Sequence, residues 1–282
     1  MTGWRALWKD RRATFGISAI ALLVVVALVG PLIHDIDPLA QHDVVQTRLL
    51  PPLSVDHLGT RHWLGTDALG RDMLARLIHG SRVSLMVGFL SMLVSVVLGA
   101  TIGISAAVWG GTFERVLMGL TDAVLAMPRL VLLLALVTLW EPSLELTVLV
   151  IGFTGWMSLA RLTRAEAKGV LALPYSVAAR SAGTSRRRLL SRHVIPNVLT
   201  PIVLVAALSI GNAIMLEAGL SFLGLGIPAP APSWGNMIAA GRNTLVNAPW
   251  VAVLPGMAVV VSVVASNLLG DGVRDALDPR VT

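Results

Sequence analysis

Residues 175–197 read YSVAARSAGTSRRRLLSRHVIPN, the one long polar stretch in the second half of a strongly apolar chain. Hydrophobic residues make up 55% of the 282-residue sequence, and charged residues make up only 13%. A soluble domain of this size carries about 25% charged residues, so this chain has too few of them to cover a water-exposed surface. The composition therefore predicts an all-α membrane protein, with the polar stretch lying in a segment between two spans.

Six apolar stretches are candidates for helices that cross a bilayer, which takes about 20 residues. They cover residues 14–33, 83–108, 116–140, 144–160, 198–218 and 250–270. The first follows the basic segment RALWKDRR and continues into GPLIHDIDP instead of a cleavage site, so we interpret it as an uncleaved anchor. The second contains Gly99 and Gly103, whose spacing permits close packing of helices.

The positions of the Lys and Arg residues indicate the side of the membrane on which each loop lies. With a cytoplasmic N-terminus, fifteen of the 22 basic residues fall in cytoplasmic segments and six in external ones. This excess fits the positive-inside rule, so the net charge of +6 reports topology and not nucleic-acid binding. Both termini are therefore predicted to be cytoplasmic.

The predicted domains follow from these spans and their orientation. They are a cytoplasmic N-terminus at 1–13, the first span at 14–33, an external loop at 34–82 and a core of five further spans at 83–282, with a long cytoplasmic loop at 161–197. The external loop is expected to contain an amphipathic helix at the membrane interface. The apolar face of that helix would consist of Met73, Leu74, Leu77 and Ile78.

The polar stretch is predicted to contain a short helix. Pro174 suits the first turn of a helix, where its missing N–H costs nothing, and Gly183 can end the helix in the left-handed conformation. The small side chains between them would let another protein surface approach closely, which favours docking. The arginines at 186–188 are expected to contact anionic lipid headgroups instead.

Two motifs in this stretch resemble the coupling loop of ABC-importer permeases. AARSAG (178–183) and RHVIPN (192–197) are similar to the pattern Glu-Ala-Ala, three residues, glycine and a later proline, with Val177 where the general pattern has glutamate. The same forms occur in the peptide and nickel permease family. Other stretches look like the second permease subunit of that family: LGTDALGRDMLARLIHGSRVSL (64–85), SFLGLGIPAPAPSWGNMI (221–238), APWVAVLPG (248–256) and NLLGDGVRDALDPR (267–280).

The resemblance implies the permease fold of type I ABC importers. In such an importer this chain would pair with a second related permease above two ATPase domains, and an external substrate-binding protein would deliver the cargo. The resemblance also implies that the short cytoplasmic helix docks into a groove of an ATPase domain. The residues of this coupling helix would be Pro174, Tyr175, Ala178, Ala179, Arg180 and Gly183.

The chain itself lacks the motif for ATP hydrolysis. A Walker A loop ends in Gly-Lys-Ser or Gly-Lys-Thr, whereas the only lysines, Lys9 and Lys168, follow tryptophan and alanine. There is no cysteine and no HExxH pair, and His57 and His62 in the external loop are expected to be solvated. We therefore expect no enzyme activity, metal site or cofactor in this chain, with ATP and Mg²⁺ bound by partner subunits.

Four polar residues within the spans are candidates for the translocation pathway or for a subunit interface. Asp122 and Arg129 are seven residues apart, so they are expected to share a face of the third span and to pair with neighbouring helices. That face would border the pathway or the partner permease, or the two residues would be purely structural. Glu217, at the outer end of the fifth span, would cap the pathway entrance or bond backbone at a bend. Asn212 carries the same two alternatives.

The sequence thus predicts the permease subunit of an ATP-driven importer for peptides, from dipeptides to oligopeptides. It would be a multi-pass protein in contact with lipid in the inner membrane of a prokaryote. Import of nickel or another small solute by the same family is the alternative. A self-contained channel or secondary transporter would explain the spans and leave the docking loop without a use.

Overall fold

The structure, a computed structural model, describes residues 10–277 except residues 35 and 42. Five helices are long and apolar enough to span a membrane, and a pair bent by 87° makes a sixth crossing when it counts as one span. The predicted all-α fold with six spans is confirmed. Residues 1–9 of the predicted N-terminal segment and 278–282 of the predicted core lie outside the described residues.

We label the helices α1 to α12 in chain order. They are α1 (Arg11–Ile33), α2 (Val44–Thr47), α3 (Met73–Trp109), α4 (Gly111–Leu125), α5 (Arg129–Val137), α6 (Leu144–Phe153), α7 (Trp156–Ala172), α8 (Pro174–Ser181), α9 (Arg186–Leu189), α10 (Ile195–Phe222), α11 (Trp234–Gly241) and α12 (Trp250–Leu277). A π-helical turn, Leu190–Val194, joins α9 to α10, and a 3-10 turn, Arg242–Thr244, follows α11. Strands β1 (Ser54–Val55) and β2 (Arg61–His62) pair as one antiparallel hairpin.

Helix α3 is the central element and packs against α1, α6, α7 and α10. Two glycines bring its backbone close to α7. A Cβ added at Gly99 would lie 2.6 Å from Leu159 Cδ2, and one added at Gly103 would lie 2.4 Å from the carbonyl oxygen of Ala160. The close packing predicted from the glycine spacing is therefore the contact between α3 and α7.

The start of α3 differs from the prediction. The residues expected to form a separate helix at the outer interface are the first turns of α3, which begins at Met73. Met73 and Ile78 are buried within the protein instead of facing lipid. The helix is continuous because no proline interrupts it, and isolated glycines such as Gly80 are tolerated inside a helix.

The external segment before α3 is held together by buried polar pairs. His62 is buried, contrary to expectation, with its Nδ1 2.8 Å from Asp72 Oδ2 and its Nε2 3.5 Å from Asp56 Oδ2. Burial raises the pKa of the Asp56 carboxyl, but hydrogen bonds from the N–H groups of Thr60 and Leu58 outweigh it and hold the pKa below its ordinary value. The carboxylates thus fix the hairpin to the start of α3.

Two of the predicted spans contain breaks. Helices α4 and α5 meet at 87° because Pro128 has no N–H with which to continue the hydrogen-bond ladder. Helices α6 and α7 are separated by a short break at Gly155, and α7 then continues to Ala172, well beyond the predicted end of the fourth span. Part of the predicted cytoplasmic loop 161–197 is therefore a helical extension of that span.

Helix α1 lies at the edge of the bundle. It packs against α12, where a Cβ added at Gly16 would lie 2.7 Å from the backbone nitrogen of Leu269. Most of its remaining surface is apolar and exposed, as at Leu32 and Ile33. Such a surface suits a helix that faces lipid, and it agrees with the interpretation of residues 14–33 as a membrane anchor.

We expect Gly103→Ala to destabilise the protein by about 1–3 kcal/mol, because the added methyl group meets the α7 backbone in a close-packed contact. Gly119→Ala is the matched control, since nothing lies within 4 Å of a Cβ there. The control should be neutral or stabilising by up to about 1 kcal/mol, because alanine favours a helix over glycine. Unfolding midpoints of the two variants in detergent measure the difference, and equal midpoints would contradict the proposed contact.

Candidate functional site

Helix α8 begins directly after α7, on the side predicted to be cytoplasmic. Leu173 is the extended residue before the helix, with φ −66° and ψ 145°, and Pro174 is its first residue, as predicted. The fixed φ of proline suits this position, and its missing N–H leaves no hydrogen bond unmade. The chain therefore leaves the membrane span, bends once at Leu173 and starts a second short helix.

The C-terminus of α8 closes in a Schellman motif. The Thr184 N–H donates to the carbonyl oxygen of Ala179 at 3.0 Å, and the Gly183 N–H donates to that of Arg180 at 3.0 Å. Gly183 has a φ of +78°, the left-handed conformation predicted for it. Both ends of the predicted helix are thus confirmed. Pro174 sets its start and Gly183 sets its end.

One face of α8 is exposed and the other is anchored to the rest of the protein. Tyr175, Val177 and Ala178 are exposed, whereas Ala179 is half-buried. The Arg180 Nη2 group donates to the carbonyl oxygen of Leu171 at 2.6 Å and so fastens α8 to the end of α7. The aromatic ring of Tyr175 lies 5.5 Å from that of His193 in the π-helical turn. The helix is therefore fixed to α7 and to the π-helical turn, and its open face carries Tyr175 and Val177 as well as the small Ala178.

A cavity of about 510 Å³ lies between the helices at the two breaks. Helices α3, α4, α5, α6, α7 and α10 all contribute to its wall. Its polar lining residues are Ser91, Ser95, Arg129, Thr154, Ser158, Ser209 and Asn212, and its apolar lining includes Met92, Met127, Leu132 and Met157. The wall therefore carries hydroxyl and amide groups within a part of the chain that is otherwise apolar.

Arg129 is the one charged residue in the wall of this cavity. Its Nη2 donates to the carbonyl oxygen of Ile151 at 3.2 Å, and its Nε donates to Thr154 Oγ1 at 3.5 Å. The expectation that Arg129 pairs with a neighbouring helix is met, since both acceptors lie at the break between α6 and α7, within the fourth span. Asn212 of α10 is exposed on the same cavity, so the structure brings two of the four candidate residues together.

Asp122 is not on the same face as Arg129, and that prediction is wrong. The break at Pro128 separates the two residues into helices that meet at 87°. Asp122 is exposed and lies outside the cavity, with its Oδ1 3.6 Å from Arg161 Nη1 of α7. An exposed pair at this distance contributes little to stability. Asp122 instead belongs to a charged crevice of about 540 Å³ at the predicted cytoplasmic ends of α4 and α7.

Glu114 is the residue of this charged crevice that the sequence analysis missed. Its Oε1 accepts hydrogen bonds from Arg164 Nε and, at 2.8 Å, from Lys168 Nζ. Arg164 and Lys168 are four residues apart and therefore lie on one face of α7, which is the signal that was available in the sequence. The cluster ties α4 to the extension of α7 that carries α8.

Glu217 lies in a buried cage of three serines and does not line the cavity. Its Oε1 accepts hydrogen bonds from Ser221 at 2.7 Å and Ser233 at 2.8 Å, and its Oε2 lies 3.4 Å from Ser84 Oγ. The hydroxyl of Ser84 in turn accepts from the Trp234 N–H at 3.0 Å. The carboxyl group thus joins α3, α10 and the start of α11, which is a structural arrangement.

Comparison with known proteins identifies the relatives of this fold. Residues 99–282 match the family described as binding-protein-dependent transport system inner membrane component. The chain belongs to this family. Residues 2–52 match the N-terminal TM domain of oligopeptide transport permease C. The resemblance to ABC-importer permeases of the peptide and nickel family is thereby confirmed, and so is a multi-pass location in the inner membrane.

Full-length relatives support the same assignment. The di/tripeptide transport system permease protein DppC of Pseudomonas aeruginosa (strain UCBPP-PA14) is 39% identical over 99% of this chain and 91% of its own length. The dipeptide transport system permease protein DppC of Haemophilus influenzae is 34% identical over 99% of this chain and 94% of its own. The family therefore accounts for the whole length of the chain.

A solved structure shares the fold at lower identity. A chain of the MetNI methionine ABC transporter, solved in inward-facing conformations, aligns with a TM-score of 0.61 at 18% identity, covering 73% of this chain and 98% of its own. At this identity the similarity concerns the fold alone. It agrees with the expected type I importer permease architecture.

We expect Glu217→Ala to destabilise the protein by about 2–4 kcal/mol, because the buried serine hydroxyls lose their shared acceptor and the smaller side chain leaves an empty space. Glu217→Gln is the matched control, since its amide oxygen can still accept from Ser221 and Ser233. The control should keep nearly the wild-type unfolding midpoint in detergent and nearly the wild-type transport rate. A stable Glu217→Gln protein that no longer transports would show that Glu217 acts in the pathway and not as structure.

Proposed function

We propose that this chain is the permease subunit of an ATP-driven importer for short peptides, from dipeptides to oligopeptides. The observation that carries the choice of cargo is the match, over nearly the whole chain, to permeases named for dipeptide and tripeptide transport. The N-terminal match to oligopeptide transport permease C supports the same class. These matches favour peptides over nickel as the cargo.

The cavity between α3, α5, α7 and α10 would form one half of the translocation pathway. Its hydroxyl and amide groups support this assignment, because polar groups at membrane depth face protein or a water-filled space. A second, related permease would supply the other half. Arg129 and Asn212 are the two candidate residues that would face the cargo, whereas Asp122 and Glu217 would not.

The energy would come from partner subunits. The sequence has no Walker A motif, so ATP and Mg²⁺ would be bound by two ATPase domains and not by this chain. Helix α8 would dock into a groove of one ATPase domain through its exposed face. Its small residues support close approach, and its anchoring at Arg180 would transmit movement to α7. An external substrate-binding protein would deliver the peptide, in keeping with the family description.

The cargo is tested with the complete complex in proteoliposomes. Purified permease pair, ATPases and binding protein should take up a labelled dipeptide only when ATP is present on the ATPase side. Nickel uptake measured in the same vesicles is the comparison. Uptake of nickel without uptake of any peptide from two to five residues would contradict the proposal.

We expect Ala178→Trp to abolish peptide uptake and co-purification of the ATPase, because an indole replaces a methyl group on the exposed face of α8. The rate of peptide uptake should fall about tenfold or more, as expected when a close-packed contact is lost. Val246→Trp is the matched control, since it adds an equally large exposed side chain in the predicted external loop, where Val246 is 95% exposed. The control should retain the ATPase. Normal co-purification and uptake by a well-expressed Ala178→Trp protein would overturn the docking assignment.

A further inference from the structure

The guanidinium group of Arg129 has no acidic partner in the part of the chain that the structure describes. Eight ion pairs occur among those residues, and Arg129 takes part in none of them. Its protein hydrogen bonds go to a neutral carbonyl and a neutral hydroxyl, through Nη2 and Nε. The Nη1 group has no acceptor among the described residues. A guanidinium offers five donors in a fixed fork, so part of its binding capacity stays available.

The other groups in the cavity do not neutralise this charge. The polar wall consists of serines, one threonine and one asparagine, and it contains no aspartate or glutamate. Helices α4 and α6 end at the cavity and α5 and α7 begin there, so the opposed ends of their dipoles offset each other and the charge of the wall is that of Arg129. The cavity is therefore electropositive and hydrogen-bonding. That combination disfavours a metal cation and favours an anion.

We propose that the cavity holds a carboxylate subsite, in which the guanidinium of Arg129 binds the C-terminal carboxylate of a peptide in transit. This inference rests on the proposed function. Arginine matches a carboxylate through two parallel N–H···O bonds, and such charge-assisted bonds are stronger than neutral ones. The volume of about 510 Å³ falls within the roughly 300–1,000 Å³ of small-molecule sites. The hydroxyl and amide groups would meet the peptide backbone.

The position of Arg129 suits a site that must bind and then release its ligand. The residue begins a helix directly after a break, and it is half-buried instead of fully enclosed. Its two protein contacts lie on the next span, at Ile151 and Thr154. A carboxylate bound here would therefore lie between the start of α5 and the break that joins α6 to α7.

The test compares a dipeptide that has a free carboxylate with the same dipeptide as its C-terminal amide. Uptake of dialanine and of dialanine amide is measured in proteoliposomes that contain the complete complex and ATP. The ratio of the two rates is then compared between wild type and Arg129→Gln. The preference of the binding protein is the same in both cases and cancels. We expect the ratio to fall about tenfold or more in Arg129→Gln, the size expected when a charge-assisted pair is lost.

Two further variants separate the local effect from a general one. Arg129→Lys keeps the charge and should retain most of the ratio. Arg82→Gln removes another span arginine, which donates to the carbonyl oxygens of Ala27 and Leu28 and does not line the cavity, and it should leave the ratio unchanged. An unchanged ratio in Arg129→Gln would overturn the subsite while peptide import stands. Failure of the wild-type complex to take up either dipeptide would instead overturn the proposed cargo, and the subsite with it.

A second measurement needs no variant and covers the case in which Arg129→Gln fails to assemble. Labelled dialanine is bound to the wild-type permease–ATPase complex in detergent without the binding protein. Unlabelled dialanine should displace it at concentrations about tenfold lower than those required of the amide. Equal displacement by the two compounds, or no saturable binding, would contradict the carboxylate subsite.

Discussion

The contact between α3 and α7 at Gly99 and Gly103 is the constraint on which the rest of the protein depends. Neither glycine contributes a side chain there, so the α3 backbone packs directly against α7, on the Leu159 side chain at Gly99 and on the Ala160 carbonyl at Gly103. Helices α3 and α7 line the cavity on one side of this contact, and α7 carries α8 on the other. In a membrane the hydrophobic effect does not drive helices together, and close packing of small residues takes its place. The two glycines thereby fix both the cavity wall and α8 at the end of α7.

The helix breaks at Pro128 and Gly155 follow from a second constraint. Backbone polar groups in a bilayer must be satisfied, so an interrupted helix is tolerated only where it faces protein or a water-filled space. Both breaks lie at the cavity, and Arg129 donates to the carbonyl oxygen of Ile151 at the second break, which also accepts from the Thr154 hydroxyl. The same residue thus completes the hydrogen bonding of the fold and gives the cavity its charge. Structure and binding share one side chain.

Much of the fold could be predicted from the sequence because membrane spans and helix ends are local signals. The apolar stretches predicted the six spans. Pro174 and Gly183 predicted both ends of α8, because proline suits the first turn of a helix and glycine suits the left-handed residue that ends it. The resemblance of residues 178–197 to a coupling loop led to the correct family. None of these features required knowledge of which helices are neighbours.

The errors arose where the outcome depended on neighbouring helices. Asp122 and Arg129 were placed on one face by counting along a straight helix, and the bend at Pro128 removed that relation. Glu217 was a candidate for the pathway because two of its three serine partners, Ser84 and Ser233, lie outside its own helix. Glu114 was missed for the same reason, since its partners on α7 lie about fifty residues later.

Helix α7 connects the cavity to α8 as one uninterrupted helix. Seventeen residues at 1.5 Å each make a rod about 25 Å long, with Met157 at the cavity end and Leu173 at the other. Pivoting such a rod by about 10° near its middle displaces each end by roughly 2 Å. Glu114 of α4 bonds Arg164 and Lys168 near the middle of α7. This contact would therefore be the point about which α7 pivots. In the proposed importer, a small displacement of α8 would therefore change the width of the cavity without any unfolding of α7.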